Sequence, residues 1–484
     1  MLLSLIFLTL ILGLFMLSIT HKSKFLTLRI VTLACSGLTL IFSTLLLLEF
    51  NTNQYYFQSI TLFKVGFEFL NLYIILGLDG LSVLFFVLSS FLIFLCILFI
   101  WEENNFKQYA FALLVLDLLL LLVFSVLDLL LFYIAFEAIL IPMYLIIGVW
   151  GSRERKIRAV YLFFFYTLLG SLFLLVGLLY IYSIKGSLNL EHLLNTKFSF
   201  NEQYWLWLAF FFSFSSKIPM FPFHIWLPEA HVEAPTVGSV LLAGILLKLG
   251  VYGFLRFSLT LFPDASLFFS PLVYMLSILG IVYASLTAIR QTDLKRIIAY
   301  SSIAHMNLVT LGLFSFNILG IEGSILQSVS HGFVSGAMFL LVGILYDRYH
   351  SRLLYYYSGL VHMMPIYSAF LLIFTMANIA LPGTSSFIGE FLLLCGIYKV
   401  NTVICVLATL GVVLCGAYSL WLYNRIVFGN LKVSNTLIFK DITFREFSIL
   451  GPLLILVLLM GIAPNFFLQF IHMASSALFF LTSY

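Results

Sequence analysis

Residues 213–235 read SFSSKIPMFPFHIWLPEAHVEAP. A lysine, two histidines, two glutamates and four prolines stand together here, between long apolar runs on either side. Outward from this stretch, the chain of 484 residues is 63% hydrophobic and only 9% charged, with a mean hydropathy of +1.14. Soluble domains carry about a quarter charged residues, and apolar stretches of about 20 residues read as membrane spans. Unbroken runs such as LLVLDLLLLLVFSVLDLLLFYIAF (113–136) do not alternate as the strands of a transmembrane barrel would. The expected fold class is an all-α polytopic membrane protein, since a spanning helix satisfies its own backbone in lipid.

Other classes find little support. The opening MLLSLIFLTLILGLFMLSITHKSK lacks the basic n-region and small-residue cleavage site of a signal peptide, so it reads as the first span. Cys35, Cys96, Cys395, Cys405 and Cys415 sit in apolar runs with no CxxC pair, which argues against iron–sulfur, haem c and zinc sites. No GxGxxG follows a strand and no Walker pattern occurs, so nucleotide binding is not expected. With 53 Phe and abundant Leu and Ile, the composition suggests an AT-rich, organelle-borne gene.

Hydropathy predicts roughly fourteen spans, centred near residues 11, 37, 90, 118, 140, 171, 214, 248, 281, 306, 331, 381, 415 and 457. Seventeen of the 24 Lys and Arg follow odd-numbered spans, among them Arg153, Lys295, Arg352 and Lys432, whereas Lys64, Lys185, Lys197, Arg256 and Lys399 follow even ones. The positive-inside rule then puts the odd loops on the cytoplasm-like side and both termini opposite. Lys217 and Lys248 are left over, inside spans. Spans four to eight and nine to thirteen form two five-helix blocks, and an odd number of helices makes them inverted repeats. Each has a Pro-interrupted span in fourth place, SKIPMFPFHIWLP and NIALPGTSSFIGEF, which makes helices seven and twelve discontinuous and points to an ion site. The expected divisions are 1–108 (helices one to three), 109–262 and 263–428 (the two repeats), and 429–484 (C-terminal loop and helix fourteen). QYYFQSITLF, between spans two and three, is a candidate for a strand pair outside the membrane.

A charge near the bilayer centre costs about 3 kcal/mol on insertion scales, so each one needs a partner or a water path. Glu137 in span five is either a carboxyl kept neutral by burial or a partner for Lys217. Lys217 stands two residues before Pro219, where span seven breaks, and apolar residues continue past it. Lys248 is deeper, beyond the reach of snorkelling. Glu390 occupies the second broken span. His305 and His331 lie in spans ten and eleven, among Ser301, Ser302, Ala304, Ser330, Gly332 and Gly336, small residues that leave room for water. Either histidine could equally be a packing residue. Asp117, His224 and His231 are supporting candidates. The two histidines are seven apart, on one helix face but for intervening prolines, and HVE is not a metal motif. Asp128 is expected to cap a helix; Glu229 and Glu233 look interfacial. The set Glu137, Lys217, Lys248, His305, His331, Glu390 exchanges protons and holds no electrons.

The runs at 132–175, 217–257 (KIPMFPFHIWLPEAHVEAPTVGSVLLAGILLKLGVYGFLRF), 293–317, 330–348 and 381–394 (LPGTSSFIGEFLLL) resemble the NADH dehydrogenase subunit 4 family. These are antiporter-like membrane chains of NADH:ubiquinone oxidoreductase, respiratory complex I, here most similar to mitochondrial forms of plants and protists. The resemblance covers residues 70–430. It implies fourteen helices in inverted repeats and a place in the proton-pumping membrane arm. It matches the family's helix-five glutamate to Glu137, its broken-helix lysine to Lys217, its central lysine to Lys248, its relay histidines to His305 and His331, and its exit glutamate to Glu390. Asp117 stands where relatives often have Glu. The resemblance also implies that this chain binds no cofactor itself, with NADH, FMN, iron–sulfur clusters and ubiquinone held by other subunits. Implied partners are other membrane-arm subunits, two further antiporter-like chains among them, supernumerary subunits, and lipids such as cardiolipin, but no nucleic acid. The implied location is the mitochondrial inner membrane, with both termini in the intermembrane space. The competing reading is a subunit of a multisubunit cation/proton antiporter, which shares the lysine and glutamate pattern.

Overall fold

The computed structural model describes residues 1–64, 73–103, 105–430 and 440–482; Lys432 and the centre of the segment joining the second and third spans lie outside them. Helices α1 (Leu2–Ile19) and α2 (Phe25–Glu49) are followed by strands β1 (Gln58–Lys64) and β2 (Tyr73–Leu78). The strands pair antiparallel, Leu62 opposite Ile75, with a bulge between Gln58 and Thr61. The expected strand pair is therefore present, formed by the end of QYYFQSITLF and a partner after it. Then come α3 (Val83–Phe99), α4 (Phe106–Ser125), α5 (Leu129–Ala138), α6 (Leu140–Trp150), α7 (Lys156–Lys185), α8 (Leu190–Leu194), α9 (Phe200–Lys217) and α10 (Trp226–Glu233). The next span joins α11 (Thr236–Leu241), a π-helical turn Leu242–Leu246, α12 (Leu247–Gly253), a second π-helical turn Phe254–Ser258 and α13 (Leu259–Leu261). The chain continues with α14 (Pro263–Arg290), α15 (Leu294–Leu313), α16 (Ile318–Tyr349), α17 (Pro365–Asn378), α18 (Ser385–Val400), α19 (Thr402–Val427), α20 (Phe444–Ile462) and α21 (Pro464–Thr482).

Among the described residues, eleven helices are long and apolar enough to cross a membrane. Of the fourteen expected centres, 214, 306 and 381 fall on α9, on α15 and on the turn between α17 and α18. The shortfall has a physical reason. α9 opens on Asn201, Glu202 and Gln203 and stops at Pro219; α15 carries Lys295, Arg296, His305 and Asn307; and α17 and α18 are separated by Pro382 and Gly383. Gly383 sits at φ +93°, a left-handed conformation that suits glycine. One helix was not expected: α20 does not end the chain, because Pro464 starts α21, which packs back on α16.

Burial orders the bundle. Most of the spans Thr236–Leu261 and Ile318–Tyr349 is enclosed by the rest of the chain, whereas α1, α2 and α20 keep most of their surface outside. Lys248 and His331 belong to the two enclosed spans. α18 runs antiparallel to α16 at glycine-mediated contact: a Cβ on Gly323 would stand 2.8 Å from Leu393 N and 2.9 Å from Leu392 Cβ. Backbone cannot yield as a side chain does, so Gly323→Ala is expected to push these helices apart at about 1–3 kcal/mol. Thermal denaturation of the purified assembly would register a lower midpoint; an unchanged one would mean that the seam has slack.

Candidate functional site

Lys248 is fully buried, and its Nζ donates to Ala243 O. That carbonyl lies in the π-helical turn just before it, where the widened coil offers an oxygen to a side chain five residues on. The same Nζ lies 2.9 Å from His331 Nδ1 on α16. An ammonium only donates, so with Lys248 charged His331 accepts at Nδ1 and carries its proton on Nε2. His331 Nε2 is buried without a hydrogen-bond partner, and the ring centroid lies 5.8 Å from that of His305. His305 Nδ1 is 3.0 Å from Glu390 Oε1 on α18, which also accepts from Gln327 Nε2 at 3.1 Å. A run of ionisable groups thus crosses from α12 through α16 and α15 to α18. Beside it, the hydroxyls of Ser330 and Ser385 meet at 2.7 Å.

A cavity of about 20 Å³ touches His305, Glu390 and Cys415, room for about one water. Cys415 was not among the sequence candidates. Its Sγ lies 3.6 Å from His305 Nε2, accepts from Tyr418 Oη at 3.0 Å and donates to Asn378 O at 3.4 Å. Gln327 and Cys415 were not singled out because a lone amide or thiol in an apolar run carries no signal until the fold brings it to an ionisable neighbour.

Lys217 ends α9 at the break, as its spacing from Pro219 predicts, and is almost fully buried. Its Nζ stands 4.5 Å from the ring centroid of Phe136, a cation–π position next to Glu137. Glu137 lies near the end of α5, at the junction with α6, within electrostatic reach of Lys217. The expected partnership is therefore longer-range than a contact: among the described residues no ion pair within 4.0 Å joins them. α12 meets the end of α9 at Gly250, where a Cβ would come within 2.9 Å of Phe214 O and 3.0 Å of Ile218 N. Asn307 of α15 donates to Pro219 O at 3.2 Å, so the break is tied to the helix that holds His305.

Asp117 on α4 is wholly buried, and neither carboxyl oxygen has a hydrogen-bond partner. His224 and His231 do not share a helix: His224 precedes α10 and faces Phe221 and Tyr283, whereas His231 lies within α10 and stacks on Phe339 at 4.7 Å. Asp128 caps α5 by accepting from Leu130 N and Leu131 N, as expected. Glu229 pairs at 2.7 Å with Arg296 near the surface; the Glu233 side chain is buried, and its carbonyl accepts from Ser152 N. Arg256, expected in a loop, is instead inside the second π-helical turn in a buried ion pair with Asp79. Among the described residues no group of three or more His, Cys, Asp or Glu is arranged to hold a metal.

The family described as NADH:quinone oxidoreductase/Mrp antiporter, TM, matches residues 126–415, a segment that holds every group from Glu137 to Glu390 and Cys415. A protein named NADH-ubiquinone oxidoreductase chain 4 from Chondrus crispus is 55% identical over 479 residues, covering 99% of this chain and 97% of that protein. One of the same name from Arabidopsis thaliana is 52% identical over 471 residues, covering 97% and 95%. Among solved structures, a chain of respiratory complex I from Thermus thermophilus with bound NADH superposes with a TM-score of 0.88 at 30% identity, covering 99% of each chain. A chain of the archaeal membrane-bound sulfane sulfur reductase has the same fold, with a TM-score of 0.85 at 21% identity over 95% of this chain and 76% of its own.

Proposed function

The chain belongs to the NADH:quinone oxidoreductase/Mrp antiporter membrane family, and on that premise we propose that it is the proton-translocating subunit 4 of the membrane arm of NADH:ubiquinone oxidoreductase. The observation that carries this reading is the seam Lys248–His331–His305–Glu390, two direct contacts of 2.9 and 3.0 Å separated by one histidine-to-histidine step. Its relatives named chain 4 match almost end to end, which favours complex I over a free-standing cation/proton antiporter.

The chemistry is proton exchange. Burial opposes charge on Lys217, and the Glu137 carboxylate favours it. Withdrawing or neutralising Glu137 leaves Lys217 inclined to release its proton towards Lys248. Lys248 hands a proton to His331 Nδ1; the imidazolium then gives up the proton on Nε2 in the direction of His305, whose Nδ1 faces Glu390. Electron transfer from NADH to ubiquinone supplies the energy from elsewhere in the complex. NADH, FMN, the iron–sulfur clusters and ubiquinone are held by other subunits, and this chain's part is that of a translocase without a redox centre. Its location is the mitochondrial inner membrane, beside two further antiporter-like chains and supernumerary subunits, with cardiolipin among the surrounding lipids and both termini in the intermembrane space.

In proteoliposomes of the intact complex, Lys217→Ala and Glu137→Gln are each expected to lower proton translocation on the order of tenfold or more. The measurement is pH-dye quenching, with assembly checked on native gels. Intact translocation in a correctly assembled variant would sink the relay.

A further inference from the structure

His305 is held at both ring nitrogens. Nδ1 stands 3.0 Å from Glu390 Oε1, and Nε2 stands 3.6 Å from the Sγ of Cys415, a residue of α19 that is 3% exposed. The hydrogen bonds around the sulfur decide which nitrogen carries a proton. The thiol hydrogen goes to Asn378 O at 3.4 Å, while the sulfur accepts from Tyr418 Oη at 3.0 Å and from Asn378 Nδ2 at 3.7 Å. With its one hydrogen spent, the sulfur has only an acceptor to offer His305, so Nε2 is protonated. Nδ1, facing Glu390, is then the nitrogen at which His305 exchanges protons.

The seam is therefore interrupted at its centre. His331 Nε2 has no hydrogen-bond partner, so the 5.8 Å between the two ring centroids is not bridged. The small cavity beside His305 does not supply the link. It opens on Glu390, Cys415 and apolar residues of α14, α15 and α19, and His331 is not on its wall. What it leaves is free space of about one water's size next to the imidazole.

We propose that His305 carries protons by turning its ring between His331 and Glu390, and that Cys415 is the positioning residue that latches it on the Glu390 side. The proposal rests on the relay reading above and adds a check on backflow. The steps balance. Turned away from Cys415, His305 takes the His331 Nε2 proton at its bare Nδ1; turned back, the imidazolium gives that proton to the Glu390 carboxylate. The Nε2 proton stays on the ring throughout and returns to the sulfur, so the thiol neither gains nor loses one. A thiol suits a latch that opens in every cycle, because sulfur is a weak acceptor.

The test uses the intact complex in proteoliposomes driven by NADH, with the initial rate of proton movement and the steady pH gradient read separately. Cys415→Ala frees the ring, so a proton on Glu390 can return to His331 once a gradient opposes pumping. It is expected to lower the steady gradient roughly threefold, the scale on which one ordinary hydrogen bond biases a two-position equilibrium, and the initial rate by less. Cys415→Ser keeps an acceptor for the Nε2 proton and is expected to recover most of the gradient. A packing role would lower both readings alike or leave Ser no better than Ala; either result overturns the latch, as does a wild-type gradient in the assembled Ala variant. Should Cys415→Ala fail to assemble, wild type and Cys415→Ser are compared by infrared difference spectra. The S–H stretching band of Cys415, lost in the Ser variant, is expected to shift during turnover as the imidazole leaves the sulfur, and a stationary band overturns the latch. His305→Gln separates the two readings: if it stops pumping while Cys415→Ala matches wild type, only the latch fails, and if it too pumps normally, the relay itself fails.

Discussion

Lys248→Ala is expected to abolish proton translocation while leaving the chain assembled. Its amine donates to Ala243 O and stands 2.9 Å from His331 Nδ1, at the α12 end of the seam. Alanine removes the one group in this span that can pass a proton to His331, and no other amine on α12 replaces it. The structural loss is smaller, because it leaves one carbonyl and one imidazole nitrogen without a partner, at about 1–3 kcal/mol each. Lys248→Met keeps the volume of the side chain and isolates the chemistry from the cavity that alanine leaves. Native gels should show both variants in the full assembly, with no NADH-driven pH gradient in vesicles. A gradient of ordinary size would remove Lys248 from the path and leave the seam a packing feature.

Arg256→Ala should have a different effect, a loss of the protein itself. Arg256 and Asp79 form an ion pair deep in the fold, Arg256 Nε also donates to Tyr252 Oη at 3.2 Å, and Asp79 Oδ1 accepts from Ser82 N at the start of α3. Breaking such a pair by removing one partner destabilises by about 3–5 kcal/mol, because the remaining charge has no water to turn to. The second π-helical turn, the head of α3 and the end of β2 all meet at this pair, so its loss should lower the amount of assembled complex several-fold. The double variant Asp79→Leu/Arg256→Met removes both charges and is expected to recover part of that loss. Quantifying assembled complex by mass spectrometry would decide it; a double variant no better than Arg256→Ala would mean that the pair does more than neutralise itself.

What could be read from the sequence was what the membrane makes expensive. Lys217 and Lys248 stand out in apolar runs for that reason, and prolines beside Lys217 and before Glu390 mark the broken helices. The structure brings His305 to Glu390 and His331 to Lys248, two contacts separated by 85 and 83 residues that no local pattern encodes. The same limit hid Asp79–Arg256: a hydropathy window ends the span before Arg256, whereas the helix continues through a π turn that keeps the residue inside. α21 follows only two residues after α20, too close for hydropathy to separate a change of direction from the same helix.

The wide turn Leu242–Leu246 also bears on how this span can change over evolutionary time. A π-helical turn holds one residue more than an α-helical one, so deleting one residue there would restore α winding and withdraw the Ala243 carbonyl from Lys248, whereas a deletion in the α-helical residues before it would turn Lys248 by about 100°, away from His331. Exchanging one apolar side chain for another would leave the register intact. Length, more than composition, is the property of this helix that mutation can least afford to alter.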